Sequence, residues 1–148
     1  FDGCDDLGAA TRGTGFAIHD IEIPELRARI GGIDHVAEIN VTGLAGFLLG
    51  NAQQRLKPKD WYDITYVLLH IDAGGVEAAA TAVCGDSERL RQARSALEDL
   101  RANFADTAAQ GPAAYADEML LNHTDVGHRV LLADAVTAIN EFRHRVGG

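Results

Sequence analysis

The rhythm of hydrophobic and polar positions changes once along this chain, close to residue 43. Ahead of that point the runs are short and alternating. Phe16-Ala17-Ile18-His19-Asp20-Ile21-Glu22-Ile23 predicts a strand over 16–23. Further strands are expected over 26–30 and over 36–41, with Gly31-Gly32 and Asp34 supplying the turn chemistry between them. Residues 1–15, rich in Gly, Asp and Thr, read as a loop. The front of the chain is thus expected to be a small antiparallel set at the edge of a larger sheet.

Behind Thr42 the period becomes helical. Leu44, Phe47, Leu48 and Ala52 share one face of a helix, for which Thr42 is the expected cap. Trp61, Ile64, Val67, Leu68 and Ile71 mark a second helix over about 60–71, stopped by Gly74-Gly75. An alanine-rich helix follows over 76–83, closed by Gly85. Asp86-Ser87 then caps a long helix with the one-sided stripe Leu90, Ala93, Leu97, Leu100 and Phe104. Pro112 stands near the start of a helix bearing Tyr115, Met119 and Leu120. The last helix carries Leu132, Ala135, Val136, Ile139, Phe142 and Val146. Strands followed by helices define an α+β class, mostly α. Residues 1–43 form its β-rich part and residues 44–148 a helical bundle, one compact unit.

Composition narrows the function classes. With 148 residues and 47% hydrophobic content, the chain can bury one sizeable core. A net charge of -9 argues against a globally basic nucleic-acid binder, because phosphate neutralisation needs clustered Lys and Arg. Cys4 and Cys84 are too few and too far apart for a disulfide scaffold or a zinc site, so a reducing, cytoplasmic setting is expected. No stretch approaches the roughly 18 apolar residues of a membrane span. The first residue is Phe, and the chain is expected to be the rear part of a longer protein.

One short run breaks the overall acidity: Arg55-Leu56-Lys57-Pro58-Lys59-Asp60-Trp61-Tyr62-Asp63. It holds both lysines of the chain. Pro58 keeps Lys57 extended and suits a first helical turn. Asp60 and Asp63, three apart, share a helix face with Lys59 close by. Two readings fit this spacing. In one, Asp60 caps the helix and Asp63 complements its dipole. In the other, the helix start is an anion or metal–nucleotide site with Lys59 and Arg55.

Asp20-Ile21-Glu22 places two carboxylates on one strand face, as a magnesium-holding pair would need; a solvated strand face gives the same pattern. Asp5-Asp6 reads as a turn. None of the histidines, His19, His35, His70, His123, His128 and His144, pairs at metal-ligand spacing, and a lone His70 suits a helix C-terminus. No G-x-S-x-G, P-loop or dinucleotide fingerprint occurs. The Leu90, Leu97, Phe104 stripe is a core face before it is a partner surface.

The segment Lys57-Pro58-Lys59-Asp60-Trp61-Tyr62-Asp63-Ile64, followed by Tyr66-Val67-Leu68-Leu69-His70, resembles the final motif of AbiEii-type nucleotidyltransferases. These are the toxin-like partners of type IV toxin–antitoxin and abortive-infection systems. Their motif reads R-x-K-x-(K/R)-D-x-Y-D-(I/L). The stretch from Thr42 to Arg55 resembles the segment before it. Asn103-Phe104-Ala105-Asp106, Gln110-Gly111 and Tyr115-Ala116 resemble the helical half, so the likeness runs over roughly 36–142.

That resemblance implies a polymerase-β-like core with a helical C-terminal half, using Mg²⁺ and NTP on RNA such as tRNA, with a cognate antitoxin as partner. It implies Asp60 as the catalytic acid, and Lys59, Asp63, Arg55 and Lys57 as nucleotide-binding groups. Asn51 stands where the family usually has a triphosphate-binding lysine. The family's Gly-Ser loop and D-x-D metal pair are absent from this sequence. The expectation is therefore the C-terminal part of a nucleotidyltransferase, inactive alone. The alternative is a non-catalytic helical interaction module that keeps the family fold.

Overall fold

The computed structural model describes residues 20–52, 57–70, 75–122 and 126–147. The expected loop over 1–15, the residues of the first strand ahead of Asp20, and Asp5, Asp6, His19, Arg55 and His123 lie outside them. The fold is α+β and mostly helical, as the change of period implies. Four short strands come first: β1 (Ile21–Glu22), β2 (Glu25–Ile30), β3 (Ile33–Glu38) and β4 (Val41–Thr42). Six helices follow: α1 (Leu44–Ala52), α2 (Pro58–His70), α3 (Gly75–Cys84), α4 (Ser87–Asn103), α5 (Gln110–Asn122) and α6 (His128–Gly147).

The strands make two separate antiparallel pairs rather than one sheet. β2 and β3 form a hairpin with Ile30 opposite Ile33, which leaves a two-residue turn. Gly31 and Gly32 both take positive φ, 61° and 84°, the conformation that a tight hairpin turn demands and that glycine adopts without strain. β1 pairs with β4, Ile21 opposite Thr42. The strand expected over 36–41 is thereby corrected. It starts at Ile33 and ends at Glu38, and Val41 belongs to the other pair. Alternation alone does not register where a ladder changes partner.

Opposed residues of an antiparallel pair share a face. One face of the hairpin therefore carries Leu26, Ala28, Ile30, Ile33, His35 and Ala37, and the other Glu25, Arg27, Arg29, Asp34, Val36 and Glu38. Every residue of β2 and β3 is exposed on both faces.

The helices bury their stripes in one core. Trp61, Tyr115, Phe104 and Phe142 are its largest fully buried side chains, joined by Leu48, Leu49, Ile64, Leu68, Leu100 and Ile139. The Trp61 and Phe104 rings meet edge-on, with centroids 5.7 Å apart and planes at 83°. In α4 the buried line is Ala93, Ala96 and Leu100, continued by Phe104 just past its end, with Leu90 and Leu97 at its margin, so this stripe is core. In α6 the buried line is Leu131, Ala135, Ala138, Ile139, Phe142 and Val146. Leu132 and Val136 of the expected stripe are only partly buried. Among the described residues no single helix is long and apolar enough to cross a membrane.

Candidate functional site

The run singled out by sequence becomes the first turns of α2. Lys57 precedes the helix, Pro58 is its first residue, and Asp60 the third. Pro58 costs nothing there, because the N–H it lacks would have had no partner within the helix. Asp60 turns back: the Lys57 N–H donates to Asp60 Oδ2 at 3.3 Å, and the Asp60 N–H donates to the Lys57 carbonyl at 2.9 Å. This is the returning arm of a capping box, made by an acid at the third helical position.

One turn on, Lys59 Nζ donates to Asp63 Oδ2, an i,i+4 ion pair. The hydrogen bond to Asp63, then its charge, holds the Lys59 ammonium above its ordinary pKa. The Lys59 side chain is nonetheless 76% exposed while Asp63 is 23% exposed, so the lysine reaches into solvent over its partner. Lys57 is exposed as well. Asn51 lies half-buried near the end of α1, and among the described residues no bond runs from it to this run. Arg55 lies outside the described residues.

Beside this helix start is a cavity of about 270 Å³ lined by Pro58 and Trp61 from α2 and by Gln110, Ala113, Ala114 and Asp117 from α5. The first turns of two helices thus border one cleft. Trp61 is 1% exposed, and its indole N–H has no hydrogen-bond partner among the described residues. A buried donor left unpaired costs roughly 1–3 kcal/mol. The spacing of apolar residues marked Trp61 as core and gave no sign of this orphaned donor. Gln110 and Asp117 were not foreseen either, because nothing local ties them to α2.

Along α2, Tyr62, Tyr66 and His70 recur at i,i+4 spacing, and Tyr62 and His70 meet Tyr115 of α5. The Tyr62 and Tyr115 rings stack at 6.1 Å, the Tyr66 and His70 rings meet tilted by 38° at 4.6 Å, and His70 Nε2 lies 3.0 Å from the Tyr115 hydroxyl. Burial, with a smaller contribution from the Asp134 charge, pushes the Tyr115 phenol up to about 12.

The described carboxylates do not assemble into a metal centre. Among the described residues no group of three or more His, Cys, Asp or Glu side chains converges. Asp20, proposed with Glu22 as a strand pair, is used at α1: its Oδ2 accepts the Gly46 N–H at 2.6 Å, and its carbonyl accepts the Gly43 N–H at 2.6 Å. Asp20 thus caps the helix that Thr42 was expected to cap. Thr42 is held in β4, and Gly43, which precedes the helix, has no side chain to serve. With Asp60 and Asp63 engaged at the start of α2, the donor set does not fit Mg²⁺.

No family model matches this chain, and no curated protein or solved structure is significantly similar to it.

Proposed function

We propose that this chain is the C-terminal part of an AbiEii-type nucleotidyltransferase that acts on RNA such as tRNA, and that alone it contacts nucleotide without transferring it. The observation that carries the reading is the start of α2. Both lysines of a chain with net charge -9 stand exposed there, at the positive end of a helix, beside a cleft bordered by a second helix start. Lys59 and Lys57 would meet phosphate, and Asp60 holds the backbone that presents them. The reading leaves Mg²⁺-dependent transfer to carboxylates that the described residues do not supply. It carries with it a cytoplasmic setting, where NTP, tRNA and a cognate antitoxin are met.

Trp61 is the single tryptophan and lines the cleft, so its emission reports on it. ATP with Mg²⁺ is expected to change that emission, and Lys59→Ala to weaken the effect about tenfold or more, the size of one lost charge-assisted bond. No change at millimolar ATP sinks the nucleotide site. Label transfer from NTP to tRNA that disappears in Asp60→Ala would overturn the claim of inactivity alone.

A second reading, the non-catalytic interaction module, is favoured by a different observation. Ile21, Ile23, Leu26, Ile30, Ile33, Val36 and Ile39 are all exposed on the strands and their flanks. A lone two-stranded hairpin is marginal in water. Such a module binds no nucleotide, so the same titration separates the two.

A further inference from the structure

The bundle carries a second charged cleft that shares no lining residue with the one at the α2 start. It opens between α4 and α6, has a volume of about 590 Å³, and is lined by Glu98, Arg101, Ala102, Ala105, Asn140 and Arg143. Arg143 is half-buried and anchored: its Nε donates to the Leu97 carbonyl at 3.2 Å, and its Nη1 to Asn140 Oδ1 at 3.1 Å. These bonds engage Nε and Nη1, on different edges of the guanidinium, fix its plane and leave Nη2 unengaged among the described residues. Arg101 is exposed and makes no ion pair or hydrogen bond among the described residues.

Two arginines sharing a cleft without a paired carboxylate is an unfavourable arrangement. It is notable in a chain with 22 acidic and 13 basic side chains, where Arg27, Arg29, Arg91 and Arg145 each have a carboxylate partner. Burial first, and the Arg101 charge second, hold the Arg143 guanidinium below its ordinary pKa; no carboxylate acts against them. Ala102 and Ala105 are small, so a ligand can come close to both guanidiniums. Asn140, whose oxygen accepts from Arg143, presents its amide N–H groups as further donors. A phosphate oxygen set answers this donor array, and guanidinium forks match its geometry. The volume exceeds a bare phosphate and suits a body of sugar or nucleotide size. Glu98, the one carboxylate of the lining, would repel a second phosphate but accept from hydroxyl groups.

We propose that the α4–α6 cleft is a binding site for a small phosphomonoester with a hydroxylated body, its phosphate held by Arg101 and Arg143 and its hydroxyl groups facing Glu98.

The test uses the 148-residue chain and follows the arginine side-chain Nε–H signals by NMR during titration with ribose 5-phosphate, inorganic phosphate or ribose. Ribose 5-phosphate is expected to shift the Arg101 and Arg143 signals saturably, inorganic phosphate to do so more weakly, and ribose not at all. Arg101→Ala is expected to weaken ribose 5-phosphate about tenfold or more. Because Arg101 is exposed and unpaired, that variant keeps its fold. Equal binding to wild type and Arg101→Ala overturns the site. So does an absence of shifts at either arginine, even where ATP still changes Trp61 emission. Inorganic phosphate binding as tightly as the ester overturns the hydroxylated body and leaves a simple anion site in its place.

Discussion

Asp20 Oδ2 accepts the Gly46 N–H at 2.6 Å across 26 residues of sequence. The carboxylate arrives there because β1 pairs with β4, Ile21 opposite Thr42, which brings Asp20 alongside Gly43. A methyl group added to Gly43 would lie 2.7 Å from that same oxygen. Gly43→Ala is therefore expected to cost about 1–3 kcal/mol by crowding, and Asp20→Ala about 1 kcal/mol as a lost cap. The double variant should lose less than the sum, since removing the carboxylate makes room for the methyl. Urea unfolding of the four proteins measures this; strict additivity would show that the two residues do not share the contact.

Gly111, in the first turn of α5, lies against Phe104. A Cβ at Gly111 would come within 2.3 Å of the ring at Cζ, and the ring is fully buried against Trp61. Gly111→Ala is expected to lower stability by about 1–3 kcal/mol. Adding Phe104→Leu should recover part of that loss, although the smaller side chain carries its own cost. Thermal melts decide it, and a neutral Gly111→Ala would contradict the packing.

Alkaline pH provides a separate probe. The Tyr115 phenol is raised in the folded state to about 12 from an ordinary value of 10. The folded chain thus holds this proton where the unfolded chain releases it. The resulting stability is fully present below pH 10 and is lost as pH rises through 12. Two pKa units correspond to at most about 2.7 kcal/mol. Denaturant melts between pH 9 and pH 12 should show the decline, and Tyr115→Phe should flatten it. An unchanged slope in that variant would assign the effect elsewhere.

At the start of α2, stability and binding are expected to separate. Asp60→Asn retains an oxygen for the Lys57 N–H and should be nearly neutral, while Asp60→Ala should cost about 0.5–1 kcal/mol. Lys59→Ala removes an exposed i,i+4 pair worth no more than about 0.5 kcal/mol. Chemical denaturation of the three variants checks both figures. A large loss on Lys59→Ala would mean that its effect on nucleotide cannot be taken as a lost contact.

The elements that sequence located well are those whose signals are local. Pro58 and Asp60 announce the start of α2 by steric fit and by a bond between residues three apart. Gly31-Gly32 announces a two-residue turn because the positive φ values there suit glycine. The stripe of α4 follows from one face of a helix meeting one core. The missed features are contacts between distant segments. His70 meets Tyr115 at a separation of 45 residues, Arg143 reaches Leu97 across 46, and the orphaned Trp61 donor depends on what α5 sets beside it. No period or motif encodes such a meeting.

By itself the sequence determined the α+β class, the change of period near residue 43, and the helix start that gathers both lysines. Each follows from backbone sterics and side-chain spacing within a few residues. Only the tertiary structure decided which acids are spent and which bases are left over. Asp20 went to the start of a distant helix and Asp63 to Lys59, while Arg101 and Arg143 were set in one cleft without a carboxylate partner among the described residues. Charge pairing acts through space, over a few ångströms, and the packing of helices far apart in the chain fixes those distances.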